Sequence, residues 1–171
     1  MTSRSAPDAC ADRGRAVAVG NRCRAVLMLA VIITVVVADQ VTKSVVLATW
    51  RGGRTAGGLL RVELVRNRGA AFGLAPTLTP LYTLLAAVTV AACLYYGMLS
   101  RHSGVRTMAL ALVAAGAAGN LIDRVARPPG PFHGAVIDWI KLSFYPPAFN
   151  LADIALRVGI AVFVVSALAE M

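Results

Sequence analysis

Carboxylates are scarce in this chain: Asp and Glu together number 8 against 17 Lys and Arg, for a formal charge of +9 at pH 7. A basic excess of that size raises nucleic acid as a partner. The arginines, however, sit in short clusters between apolar runs and not along one helical face with interleaved aromatics, so no nucleic-acid footprint forms. Positive charge beside hydrophobic segments instead meets anionic lipid head groups and governs how helices insert. Cysteine is limited to Cys10, Cys23 and Cys93, odd in number, without metal-ligand spacing and with one in the middle of an apolar run. That excludes a disulfide framework and a zinc site. Histidine is limited to His102 and His133, in separate loops and outside any H-E-x-x-H pattern, so a metal hydrolase has no ligand set. Serine catalysis lacks a nucleophile elbow near a usable histidine. Neither metal nor cofactor is expected.

What the chain does have is apolar sequence, with 58% hydrophobic residues over 171 positions and a mean hydropathy of +0.71. That is one domain's length but far more apolar than a soluble domain, and the solvent it implies is a bilayer. A helix needs about 20 predominantly apolar residues to cross a hydrocarbon core of about 30 Å. Four stretches qualify, at 25–48, 78–99, 106–122 and 148–168, the last interrupted by Asp153 and Arg157. The expected fold is an all-α membrane protein of four transmembrane helices with both termini on one side. Residues 1–24 carry Arg4, Arg13, Arg15, Arg22 and Arg24 and read as a polar, flexible N-terminal extension; 25–171 is the membrane domain. No small-residue cleavage site precedes Asp39, so the first apolar run is expected to be retained as a helix.

Between helices one and two, Leu60, Val62 and Leu64 alternate with Arg61 and Glu63 after a turn at Gly57 and Gly58. This period of two predicts a small extracytoplasmic β element. Between helices three and four, Pro128, Pro129, Gly130, Pro131, Pro146 and Pro147 predict a loop of about 25 residues, long enough to be functional. The Lys and Arg count does not choose an orientation: five arginines precede helix one and Arg101 and Arg106 follow helix two, while Arg51, Arg54, Arg61, Arg66, Arg68, Arg124, Arg127 and Lys141 lie on the other side.

Of the few acids, Asp39, Asp123, Asp138 and Asp153 lie in or next to the spans, a costly placement that needs a reason. In an up-and-down bundle all four fall on one membrane face, together with Asn67, Gly69, Asn120 and Asn150. Structural readings exist for most of them. Asp39 and Lys43 are an i,i+4 pair; Asn120, Asp123 and Arg124 share a helical face, where an Asp–Arg contact ties helix three to its neighbours; Asn150 and Asp153 have capping-box spacing, with Arg157 a turn further for an ion pair. Asp138, in the string A-V-I-D-W-I, has no base at helical spacing except Lys141, and its neighbours desolvate it. Two carboxylates in a poorly solvated site tend to hold one proton between them. One then takes a proton from water while the other hydrogen-bonds a scissile carbonyl, which is peptide-hydrolysis chemistry without a metal.

Five blocks run in order along the chain: D-Q-V-T-K at 39–43, N-R-G-A-A-F-G at 67–73, G-N-L-I-D-R at 119–124, V-I-D at 136–138 and F-N-L-A-D at 149–153. In that order and spacing they resemble the bacterial lipoprotein signal peptidases (signal peptidase II), over about residues 29–168. The resemblance implies an aspartic endopeptidase of the cytoplasmic membrane, cleaving prolipoproteins immediately before a cysteine that carries diacylglycerol, with its site facing away from the cytoplasm. By motif, Asp138 and Asp153 are the catalytic pair, and Asp39, Lys43, Asn67, Gly69, Asn120, Asp123, Arg124 and Asn150 bind substrate or support the site. The implied partners are diacylglyceryl-modified prolipoproteins and membrane lipids, not nucleic acid, and no oligomer is required. Trp139 stands where the family usually has Phe, and Leu156 where Ile is common. Arg157 is less expected, and is assigned only as a partner for Asp153 or a neighbouring carboxylate. Two rivals from other classes are a small ion-coupled transporter, which needs acids spread through the membrane depth, and a structural or lipid-binding subunit, which needs no paired acids.

Overall fold

The structure is a computed structural model and describes residues 6–50, 58–69, 74–99 and 103–170. Arg4, Arg51, Arg54, Gly57, the A-A-F-G half of the second block, Arg101 and His102 lie outside the described residues.

Four helices run through the apolar stretches: α1 (Ala6–Thr49), α2 (Thr79–Leu99), α3 (Gly104–Ala126) and α4 (Leu151–Leu168). Each contains a window long and apolar enough to cross a bilayer. Large apolar side chains lie bare on all four, most densely along α1, α2 and α4, as at Val37, Val41 and Val45 of α1, Leu84 and Val88 of α2, and Val158 and Val165 of α4. In lipid such surface has no reason to hide, and an α-helix satisfies its own backbone polar groups. α1 starts inside the segment expected to be a separate extension. That segment is rich in Ala, the best helix former, and the apolar window of this 44-residue helix begins only at Gly20.

α3 is the central helix and packs on the other three, most extensively on α4. Its buried face is built of small residues: Ala109, Ala111, Ala114, Ala115 and Ala117 are each at most 3% exposed. Small residues let helix backbones approach closely, which is how helices associate in lipid. A Cβ on Gly116 would stand 2.3 Å from the Ala152 carbonyl oxygen, and one on Gly159 would stand 2.8 Å from the Ala109 carbonyl oxygen. The start of α4 is thus laid against the middle of α3.

A three-stranded antiparallel sheet, order β1-β2-β3, lies at the end of the bundle where α1 and α3 finish and α2 and α4 begin. β1 (Leu60–Asn67) is the strand that alternation predicts. β2 (Val136–Leu142) and β3 (Tyr145–Phe149) occupy what reads in sequence as loop, so Asp138 sits on a central strand, paired with Val65. Pro146 and Pro147 are tolerated because β3 is an edge strand, where a missing N–H need not break a ladder.

Candidate active site

Two of the aspartates are held by amides. Asp138 is 3% exposed. Its Oδ2 accepts from Asn67 Nδ2 at 3.1 Å and its Oδ1 from Asn150 Nδ2 at 2.7 Å. Asn150 is the N-cap of α4 and closes a capping box with Asp153: its Oδ1 accepts from the Asp153 N–H at 2.9 Å, and Asp153 Oδ2 accepts from the Asn150 N–H at 3.3 Å. The other oxygen of Asp153 accepts from Asn120 Nδ2 at 2.9 Å, and Asn120 Oδ1 accepts from Asn150 Nδ2 at 3.1 Å. Asn120 and Asn150 therefore link the two carboxyl groups through a continuous chain of hydrogen bonds. Burial, and then the neighbouring Asp153, push the Asp138 carboxyl up to about 7; the Asn67 and Asn150 hydrogen bonds only partly offset this.

The other two aspartates are answered by cations. Lys43 is fully buried, with Nζ 2.7 Å from both Asp39 Oδ2 and Asp123 Oδ2. Arg127 pairs with Asp123 Oδ1, and Gln40 Nε2 donates to Asp39, Asp123 and the Gly119 carbonyl. Two acids and two bases balance, as burial demands. This cluster reaches the backbone on both sides of the site. Asp123 Oδ2 accepts from the Ile137 N–H at 3.2 Å, and Asp39 Oδ1 accepts from the Ala152 N–H at 3.1 Å. Each of those residues immediately precedes a carboxylate of the pair, Asp138 in one case and Asp153 in the other.

Arg124 corrects one expectation. It does not pair with Asp123: neighbours in a helix point in different directions, and its guanidinium donates to the Gly69 carbonyl at 2.8 Å and lies 5.5 Å from the centre of the Tyr82 ring. It thereby anchors the segment that carries Asn67 and Gly69, where the Gly69 N–H also donates to Asn67 Oδ1 at 2.9 Å. Arg157 corrects another. Among the described residues it makes no ion pair, and its guanidinium instead lies 5.8 Å from the ring centres of Tyr145 and Phe149.

All ten residues expected at the site converge on this end of the bundle. Asp138 borders two cavities. One, of about 340 Å³, runs between α2, α3 and α4 and is lined by Leu85, Ala86, Asn120, Asp153, Leu156 and Arg157 among others. The second, of about 560 Å³, lies under the sheet and is lined by Arg66, Asn67, Lys141 and Pro147 among others. Sequence reasoning missed Gln40, Arg127 and Tyr82 as members of the site. Arg127 was within reach, standing at i+4 from Asp123 as Lys43 does from Asp39. Gln40 stands inside the first of the five blocks, beside Asp39, whereas Tyr82 carries no spacing that marks it.

The fold and site define a polytopic membrane protein with two carboxyl groups linked through amides at one end of a four-helix bundle. A model of the signal peptidase (SPase) II family matches residues 31–169, and the chain belongs to that family. Two relatives named lipoprotein signal peptidase illustrate the match. One, from Syntrophomonas wolfei, is 41% identical over 129 residues, covering 73% of this chain and 81% of that protein. One from Rhodococcus jostii is 39% identical over 143 residues, covering 81% and 71%. A solved structure of a bacterial membrane enzyme superposes with a TM-score of 0.74 at 28% identity, over 84% of this chain and 88% of that one. The chain is a multi-pass membrane peptidase of this family.

Proposed function

We propose that the chain is an aspartic-type endopeptidase that removes signal peptides from diacylglyceryl-modified prolipoproteins, immediately before the lipid-modified cysteine, with Asp138 and Asp153 as one acid–base unit. The observation that carries this is a buried carboxyl able to hold a proton near neutrality, Asp138, sharing a cavity with a second carboxyl, Asp153. With the proton on Asp138, that group donates to the scissile carbonyl oxygen while Asp153 takes a proton from the attacking water. The tetrahedral diol collapses as Asp153 passes its proton to the leaving amine and a diol hydroxyl gives its proton to Asp138, which restores the starting state of the pair. Asn67, Asn120 and Asn150 keep the oxygens of the pair oriented. Asp39, Lys43 and Asp123 fix the backbone beneath each acid, and Arg124 fixes the segment bearing Asn67 and Gly69.

The apolar wall of the smaller cavity suits a lipid-modified segment arriving from the bilayer. In this reading the sheet end faces away from the cytoplasm, residues 25–171 form the working unit, and one chain supplies every group. Purified Asp138→Asn and Asp153→Asn variants should each lose nearly all cleavage of a diacylglyceryl-modified precursor. The double variant should be little worse, because residues acting as one unit are not additive. Well-folded single variants with near-normal turnover would remove the aspartic mechanism. The orientation has its own readout: a cysteine introduced at Gly130 should react with an impermeant thiol reagent added outside intact cells.

A further inference from the structure

Arg157 is a cation in a place where cations are costly. It lies one turn past Asp153 in α4, a helix otherwise apolar to its end, and it is exposed on the bilayer-spanning part of the chain. No acid among the described residues pairs with it. Its side chain rises toward the sheet end, as long basic side chains do in membranes. The guanidinium rests beside the Tyr145 and Phe149 rings, themselves set edge to face 6.1 Å apart. Aromatic rings occupy the face of a guanidinium and leave its in-plane N–H donors available. Arg157 is one of the residues that line the cavity shared by Asp138 and Asp153.

What fits there is an oxygen acceptor close to the carboxyl pair. The cavity already sets Arg124 and Arg157 against its two carboxyl groups, so it does not call for a further anion. Ester carbonyls accept hydrogen bonds without adding charge. On the reading above, the scissile bond lies at the carboxyl pair, so the thioether-linked glycerol of the following cysteine is only a few covalent bonds away. Arg157 is about 6 Å from Asp153 along the helix axis, at a rise of about 1.5 Å per residue. We propose that Arg157 is a specificity-determining residue that hydrogen-bonds the ester carbonyls of the diacylglyceryl group on the substrate cysteine, with Tyr145 and Phe149 holding its guanidinium in position. This rests on the lipoprotein-cleaving reading of the same site.

The test compares two probes on the full chain in detergent: a short peptide bearing S-(2,3-diacyloxypropyl)cysteine, and its dialkyl ether counterpart, which lacks the carbonyls. Equilibrium binding and inhibition of precursor cleavage are both measured. The parent protein should prefer the ester by about tenfold, the scale of one hydrogen bond from a charged donor. Arg157→Ala and Arg157→Gln should bind the ether as before, lose the ester preference, and raise the KM for precursor more than they lower kcat. Arg157→Lys should recover part of the preference. An ester preference that survives Arg157→Ala, or an equal loss on both probes, would show a purely structural role and overturn the proposal. So would affinity that follows the anionic phospholipid added to the micelles. Because binding is read separately, a parent protein that binds the ester but cleaves nothing would count against the peptidase reading and leave this contact standing.

Discussion

Replacing Asp138 with Asn keeps the shape of the side chain and removes its charge, so its effect on stability should change with pH. An Asp carboxyl ordinarily titrates near 3.8, and in the folded protein Asp138 is pushed up to about 7. Between those values the folded state holds a proton that the unfolded state has released. Stability therefore falls as pH rises through the window. About three pH units at about 1.4 kcal/mol each amount to about 4 kcal/mol, fully present below about pH 4 and lost above about pH 7. The Asn variant has no such loss.

The variant has a fixed cost of its own. Both oxygens of Asp138 accept from amide NH2 groups, so the substituted amide must set its own NH2 against one of them. Neither partner can turn over freely, because Asn67 Oδ1 already accepts from the Gly69 N–H and Asn150 Oδ1 from the Asp153 N–H. An unmet buried group of this kind costs about 1–3 kcal/mol. At pH 4.5, where about 1 kcal/mol of the parent's proton-linked stability is already gone, Asp138→Asn should be the less stable protein by up to about 2 kcal/mol, and at pH 8 the more stable by about 1–3 kcal/mol. Thermal unfolding in detergent can be followed by the intrinsic fluorescence of Trp139, which stands next to Asp138 on β2 and reports at both ends of this pH range. Taking the difference between variant and parent cancels titrations common to both. A difference that stays constant from pH 4.5 to pH 8 would refute the placement of a proton on Asp138.

Three further outcomes follow from the same geometry. Because Asp138 is the proton donor in the proposed cycle, kcat/KM for precursor should fall about tenfold per pH unit above about pH 7; a profile flat to pH 9 would assign the acid elsewhere. Gly116→Ala should cost about 1–3 kcal/mol and lower turnover, since its Cβ meets the Ala152 carbonyl at 2.3 Å and pushes the start of α4 away. Gly20→Ala, with nothing within 4 Å of the added carbon, is the control in the same unfolding assay. A chain beginning near Asn21 should insert and cleave, because every site residue lies beyond that point; normal insertion with lost activity would give the segment a role.

The spans and most of the site were legible because lipid makes their patterns unusually strict. A charge-free run of bilayer length has few other readings, and an Asp inside one stands out. The capping box at Asn150 and Asp153 and the Asp39–Lys43 pair needed only local spacing, and both are present. The errors share a different cause. V-I-D-W-I is a short apolar run whose partner strand lies before α2, so nothing local distinguishes a buried strand from a loop. Once β2 and β3 were missed, Tyr145 and Phe149 could not be seen as neighbours of Arg157, and spacing alone pointed that arginine at Asp153. Lys141, the base nearest to Asp138 in sequence, turns instead to the Pro146 carbonyl across the hairpin.

The site also divides its four acids by the kind of partner each is given. Asp39 and Asp123 stand against Lys43 and Arg127, and that cluster is electrically balanced within itself. Among the described residues, Asp138 and Asp153 receive no cation at hydrogen-bond distance, and their partners are the amides of Asn67, Asn120 and Asn150 and the backbone of the capping box. An amide orients a carboxyl group without abolishing its need for a proton, whereas an adjacent cation would favour the ionised form. The positive charge on Lys43 is close enough to act on Asp138, but only as a minor influence behind burial and the repulsion of Asp153. The ion-paired aspartates can therefore grip Ile137 and Ala152 rigidly, and the proposed cycle asks of the carboxyl groups one residue further on only that they exchange a proton.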